Sequence, residues 1–207
     1  MITEPYRAEG MHKILYHCPN CMTESKMASE GSEIFCTHCN KRWTLNEDGT
    51  LTANEGETEF SHVPDWFRWE REQVEKQILD GSYSFEDEVD VYSMPRCWRF
   101  EKLGKAKLRH NAEEGFVLEG YYNGEDYRIQ REPIQSNSLH IEYDYCYLKP
   151  LDCVDISTEN DSFYCYPETK ENVVTKLAFA TEILYGLAVK GRDDSRIVRN
   201  PQHKQIN

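Results

Sequence analysis

Apolar residues in the second half of the chain recur at every other position. Val89 and Val91 with Tyr92 open this pattern, followed by Phe100 and Leu103, then by Ala106 and Leu108. Phe116 to Tyr122 is an apolar run that ends in Asn123-Gly124, a pair that tolerates the positive φ of a tight hairpin. Tyr127 and Ile129 alternate with polar residues beyond it. Leu139, Ile141, Tyr143 and Tyr145 interleave with His140, Glu142 and Asp144. Val154 and Ile156, a polar turn from Ser157 to Asp161, and Phe163 to Tyr166 complete the series. Short alternating runs joined by turn residues predict seven or eight strands in an antiparallel meander.

The period then lengthens. Val173, Leu177, Ala180, Leu184 and Leu187 or Ala188 lie on one face of a predicted helix, with Thr169 or Asn172 as its cap and Lys190-Gly191-Arg192 at its end. A second helix is predicted upstream. Pro64-Asp65 opens it with Asp65 as N-cap, Phe67, Val74 and Ile78 form its apolar face, Trp66 and Trp69 widen that face, and Gly81 closes it. Two tryptophans near one helix start need a covering surface. Docking on the neighbouring domain is the plainer expectation, and a partner-binding or membrane-touching role for Trp66 and Trp69 is the alternative.

The first fifty residues follow a different logic. Cys18-Pro19-Asn20-Cys21 and Cys36-Thr37-His38-Cys39 are two Cys-x-x-Cys pairs separated by residues 22 to 35. Two such pairs supply the four thiolates of a closed tetrahedral zinc site, with no position left for a substrate. Two disulfides or unrelated core cysteines are the competing readings. Between the pairs, Ser25 to Ala28 and Glu33 to Phe35 fit a hairpin turning at Glu30-Gly31-Ser32, with a third strand from Arg42 to Leu45 and a lead-in strand from His12 to Tyr16. This is a zinc ribbon. Its forty or so residues are too few for a self-sufficient core, so the metal supplies folding energy. Residues 1 to 11 suggest no element. The predicted organisation is a ribbon over 12–54, a linker and Trp-rich helix over 55–83, a β-rich domain with its own core over 84–191, and a polar tail over 192–207.

Charge narrows the partners. The 207 residues carry a formal charge of −13, and four thiolates with one Zn²⁺ take it to −15, which disfavours nucleic acid. In the ribbon Lys13, Lys26, Lys41 and Arg42 are outnumbered by Glu24, Glu30, Glu33, Glu47 and Asp48, so the basic footprint of a nucleic-acid ribbon is missing. Cys97, Cys146, Cys153 and Cys165 read as small core residues. Reduced thiols and the lack of a signal peptide suit a cytoplasmic setting, with a peripheral position at the inner membrane face as a further expectation. The apolar patch from Leu177 to Val189 is too short, and with Glu182 too polar, to span a bilayer.

About seven antiparallel strands followed by one amphipathic helix give a mainly β, α+β chain with the element order of the pleckstrin-homology-like superfold, an open antiparallel barrel closed by a C-terminal helix. Residues from about Glu4 to Leu187 also resemble a region of certain Firmicute proteins. The resemblance is carried by Glu4-Pro5-Tyr6-Arg7-Ala8, Leu15-Tyr16-His17-Cys18-Pro19-Asn20-Cys21, His62-Val63-Pro64-Asp65-Trp66-Phe67-Arg68-Trp69-Glu70-Arg71-Glu72 and Phe163-Tyr164-Cys165-Tyr166-Pro167. On these stretches the chain resembles the C-terminal zinc-ribbon and β-rich part of 1-acyl-glycerol-3-phosphate (lysophosphatidic acid) acyltransferase family proteins. The resemblance implies an accessory role in glycerophospholipid acyl transfer, with an acyltransferase catalytic domain or an anionic membrane surface as partner. A protein-binding adaptor without a lipid role, a ribbon of the transcription or RNA machinery, and an acyltransferase active through a non-standard site are the rival readings.

The family's catalytic His-x4-Asp motif has no counterpart here. The residues five positions beyond His12, His17, His38, His62, His110 and His140 are His17, Met22, Trp43, Phe67, Gly115 and Tyr145, and His203 lies too near the end. No catalytic residue is therefore assigned. The basic island from Arg96 to Arg109 nets +5 against −18 for the remaining chain. As a strand, Gly104 to Arg109 turns Lys105, Lys107 and Arg109 to one face, a candidate contact for lipid headgroups. The plainer reading is a solvated face whose charges balance neighbouring acids.

Overall fold

The structure, a computed structural model, describes residues 1–145 and 151–199, and their side chains except those of 97 and 193–199. Cys146 and the side chain of Cys97 thus lie outside the described residues.

The first sheet is small. β1 (Met27–Glu30), β2 (Glu33–Cys36), β3 (Arg42–Leu45) and β4 (Leu51–Ala53) pair in that order, all antiparallel. Gly31 and Ser32 close the first hairpin, as the sequence predicts, with Gly31 at φ 58. β4 was not foreseen, because its three residues look like the start of a polar linker. Two expectations change upstream. Residues 11–13 form a 3-10 turn where a lead-in strand was expected. The segment before them is part of the ribbon: the Ile2 and Ala8 N–H groups donate to Glu47 O (2.6 Å) and Gly31 O (2.9 Å), and Ala8 is fully buried. A sheet this small gains core by recruiting every adjacent apolar side chain, and Leu15, Ile34, Trp43, Leu45, Leu51 and Trp66 form that core.

Helix α1 spans Val63–Leu79. Its cap position is His62, in extended backbone, and not Asp65, which lies inside the first turn. Pro64 explains the shift, since a proline near the start gives up an N–H that no carbonyl would bond. The buried stripe is Trp66, Glu70, Val74 and Ile78, a strict four-residue repeat. Phe67, expected on that stripe, is 38% exposed and meets Phe179 edge-on at 4.7 Å.

The second sheet holds β5 (Ser84–Ser93), β6 (Glu101–Asn111), β7 (Gly115–Tyr122), β8 (Glu125–Arg131), β9 (His140–Glu142), β10 (Cys153–Ser157) and β11 (Ser162–Pro167). The two runs expected around Leu103 and Leu108 are one long strand, and the strand predicted through Tyr145 is short. All pairings are antiparallel, in the order β8-β7-β6-β5-β11-β10-β9. The first strand therefore pairs with the last, while β8 and β9, consecutive in sequence, do not pair among the described residues. This is a meander curled back on itself with a gap between β8 and β9, and among the described residues no closed barrel is formed. A register shift between Val91 and Tyr92 adds local twist to β5.

Helix α2 (Val174–Arg199) packs beside that gap, against β9, against the 3-10 turn at Pro133–Gln135, and against α1. Val173, Val174 and Leu177 enter the sheet's core with Val89, Val91, Leu108, Phe116 and Leu118. Neither expected cap acts as one. Thr169 and Lys170 donate instead to Asp87, and Asn172 stands at φ 51 with its amide on Met27 O. The helix also continues through Gly191, which is not at positive φ and terminates nothing.

The ribbon core and the core of the second sheet are separate clusters, and a third cluster lies between the two parts. Tyr16 of the ribbon packs with Val74, Ile78, Tyr83, Phe179, Ala180, Ile183 and Leu184 in a third cluster that joins ribbon, α1 and α2. Polar bonds line the same boundary. Lys13 bridges Asp144 (2.6 Å) and Asp152 (2.7 Å), Lys176 meets Glu24 at 2.6 Å, and the Thr175 hydroxyl donates to Lys13 O.

Candidate metal centre

Each cysteine pair sits in the same turn. The Met22 N–H donates to Cys18 O and the Asn40 N–H to Cys36 O, both at 2.9 Å. The Cys18 N–H donates to Thr23 O and the Cys36 N–H to Lys41 O, both at 3.0 Å. The residue after each second cysteine is left-handed, Met22 at φ 59 and Asn40 at φ 62. Asparagine accepts this conformation readily and methionine does not, so the cysteine spacing announces both turns but only the second carries a residue type that favours its left-handed position. The two turns are thus repeats of one local geometry, and they aim four sulfurs at one point.

The Sγ atoms of Cys18, Cys21, Cys36 and Cys39 all lie within 4.8 Å of one another. Cys18 to Cys39 and Cys21 to Cys36 are 3.7 Å apart. A disulfide needs about 2.05 Å. A regular tetrahedron with metal–sulfur bonds of about 2.3 Å has edges of roughly 3.8 Å. The four thiols are close enough to bind a metal ion, and their spacing fits tetrahedral thiolate coordination. Cys18 and Cys36 are buried, Cys21 and Cys39 partly exposed. Burial pushes the Cys18 thiol up, against the opposing pull of the Cys21 and Asn20 N–H groups. Burial also acts on Cys21, but bonds with Thr23 and His38 outweigh it and bring that thiol down to about 6. His38 and Asn20, whose amide donates to the Cys39 sulfur at 3.5 Å, surround the site without belonging to the cluster.

The knuckle of the first pair is held from behind by α1. Glu70 Oε1 accepts the His17 N–H at 2.7 Å, and Trp66 Nε1 donates to His17 O at 3.0 Å. Trp66 is fully buried and edge-on to Trp43 at 4.9 Å, so its indole offers no surface to a partner. Trp69 is partly buried against His17 (4.7 Å) and Phe60 (5.6 Å). Both tryptophans serve the docking of the helix on the ribbon. Glu70 escaped the sequence reading because it stands in a run of charged residues. Its signal was position, four residues after Trp66 and four before Val74.

The cationic face of β6 forms as the alternation predicts, with Ala106 and Leu108 buried and Lys105 and Lys107 exposed. Its cations are paired. Lys105 reaches Glu168 and, at 3.3 Å, the buried Asp90; Lys107 meets Glu86 at 2.8 Å; Arg109 meets Glu119 at 2.9 Å, which also takes Arg128 at 2.9 Å. Cys153 and Cys165 are buried free thiols. Burial pushes Cys153 up to about 12 and Cys165 well above its ordinary value, the opposite of an activated nucleophile. Among the described residues no helix is long and apolar enough to cross a membrane.

Comparison with known proteins finds no matching family model, no matching curated protein and no matching solved structure.

Proposed function

We propose that Cys18, Cys21, Cys36 and Cys39 hold one structural Zn²⁺ and that the chain is a non-catalytic accessory module. The observation that carries this reading is the closed cluster: four thiols at tetrahedral spacing, with the first knuckle bonded from behind by Glu70 and Trp66. Four protein ligands satisfy zinc and leave no open position for water or substrate. The metal therefore supplies folding energy to a ribbon that lacks core. The curled seven-strand meander, with its first strand paired to its last and a single helix beside the gap, supports the pleckstrin-homology-like reading of the larger part.

The sequence resemblance gives the module its context, glycerophospholipid acyl transfer, in which it positions a separate catalytic domain. The upward-shifted thiols of Cys153 and Cys165 support a structural role for them. The test has three parts. Metal analysis of the purified chain should return one zinc per molecule, and no phosphatidic acid should form from lysophosphatidic acid and an acyl donor. Added to a 1-acyl-glycerol-3-phosphate acyltransferase catalytic domain from the same genome, the chain should form a stoichiometric complex. Zinc-free folded protein, or turnover by the chain alone, would overturn the reading.

A further inference from the structure

The loop between β5 and β6 has an unusual composition. Val91 to Phe100 contains no acidic residue, although the chain has 37, and it carries Met94, Pro95, Arg96, Trp98 and Arg99 in a row broken only by Cys97. Trp98 is 87% exposed, the most exposed aromatic side chain among the described residues. Soluble loops place small polar residues at such tips. A tryptophan standing in water between two arginines needs a different environment to satisfy it.

The base of the loop is fixed. The Met94 N–H donates to Ser162 O and to Asp161 Oδ1, both at 3.0 Å, and the Ser93 hydroxyl donates to Asp161 Oδ2 at 2.8 Å. Phe100 anchors the other end, edge-on to Tyr164 at 5.1 Å. Between these anchors Arg96, Trp98 and Arg99 are exposed. Antiparallel pairing brings the β7–β8 turn to the same end of the sheet, and with it Tyr121, 62% exposed. Arg99 lies close enough to act on the Tyr122 phenol, which donates to Glu101. The acids of this end are Asp161, committed to the loop base, Glu101, bonded to Tyr122, and the exposed Glu125, Asp126 and Glu159.

We propose that this end of the sheet docks on an anionic phospholipid surface, with Trp98 and Tyr121 at the headgroup level and Arg96 and Arg99 on phosphates. Indole and phenol rings favour that depth because one end of each ring is apolar and the other polar. Guanidinium groups pair with phosphate oxygens in a fork that a lysine cannot make. Two amphipathic aromatics, one on the β5–β6 loop and one at the end of β7, suit a flat surface better than a single protein pocket. One tryptophan and two cations give weak, reversible attachment, as suits a module that holds something else at the membrane. The proposal extends the accessory reading without depending on it.

The zinc-loaded 207-residue chain is sedimented with vesicles of phosphatidylcholine alone or mixed with phosphatidylglycerol. Binding is expected only to the anionic vesicles and falls with salt. Arg96→Gln with Arg99→Gln lowers the partition coefficient about 25-fold, at about fivefold per lost cation. Brominated lipid quenches the fluorescence of the unaltered protein, and Trp98→Ala removes that quenching, because Trp43 and Trp66 are buried and Trp69 packs against His17 and Phe60 on the ribbon. Zinc content confirms that the variants fold. Equal binding to both vesicles, no binding to either, or anionic binding unchanged in Trp98→Ala overturns the proposal. A protein captured through Trp98 without vesicle binding overturns it too. A vesicle-binding chain that forms no complex with the catalytic domain leaves the membrane proposal standing while the accessory reading fails.

Discussion

Glu70 on α1 accepts the backbone N–H of His17 at 2.7 Å, one residue before the first cysteine of the metal site. Burial raises its carboxyl well above the usual range, while the N–H groups of His17 and Tyr16 pull the other way. The residue is therefore a buried acceptor for a turn that must stay in place for metal binding. Glu70→Gln keeps an acceptor oxygen and is expected to change stability by less than about 1 kcal/mol. Glu70→Ala leaves a buried donor unpaired and is expected to cost about 2–3 kcal/mol. Urea unfolding of the two zinc-loaded variants separates these outcomes, and equal losses would mean that the hydrogen bond is immaterial.

Loss of the metal should be felt beyond the ribbon. Tyr16, Glu24 and Lys13 all lie at the boundary with α2 and the second sheet. Cys36→Ser removes one of four thiolates and is expected to abolish stoichiometric zinc binding. Hydrogen exchange should then show lost protection in the ribbon and also around Ile183 and Leu184, whose packing includes Tyr16. Unchanged protection in α2 would show that the two parts fold separately after all.

The sequence and the structure agree where a local rule decides the outcome. Paired cysteines announce their geometry through spacing alone. Asn123 (φ 51) and Gly124 (φ 91) form the expected turn because few other residues accept it. The alternation of β6 survives because one side faces a core. What was not legible depends on contacts distant in sequence. β4 exists because β3 offers it an edge. Glu70 is buried because it meets a backbone donor 53 residues away. Gly191 ends no helix, and local composition gave no hint that it would not. The pairing of β5 with β11 joins segments some seventy residues apart, and no turn chemistry encodes it.

The paired cations of β6 give a third expectation. Lys105→Glu places a carboxylate against Glu168 and the buried Asp90, and Lys107→Glu places one against Glu86. Like charges across a strand pair repel, and exposed pairs of this kind contribute little individually. Together the two reversals should destabilise the protein by about 1–2 kcal/mol, less at high salt. If they instead left stability unchanged and abolished vesicle binding, headgroup contact would lie on this strand face and not at the Trp98 loop.

His110 supplies the pH dependence. It is 1% exposed, stacks on Phe116 at 3.9 Å, and shares a hydrogen bond of 2.8 Å between Nδ1 and the Tyr83 hydroxyl. Burial lowers its pKa from 6.5 to about 3. The unfolded chain therefore binds a proton in a range where the folded protein does not. The resulting stability is complete above the unfolded value of 6.5 and is lost as pH falls toward about 3. At a pH of about 5 the loss amounts to about 2 kcal/mol. The thiolates of the metal site also protonate on acidification, so the wild type alone cannot isolate the term. His110→Phe removes the titrating ring and keeps the stacked aromatic, at the cost of the Tyr83 bond. Its stability is expected to be lower than wild type at a pH of about 7 by about 1 kcal/mol. Between a pH of about 7 and about 5 it should lose about 2 kcal/mol less than wild type does. Parallel urea titrations of the two proteins at both values give that difference directly. Identical losses would mean that His110 takes up its proton in the folded protein as easily as in the unfolded chain.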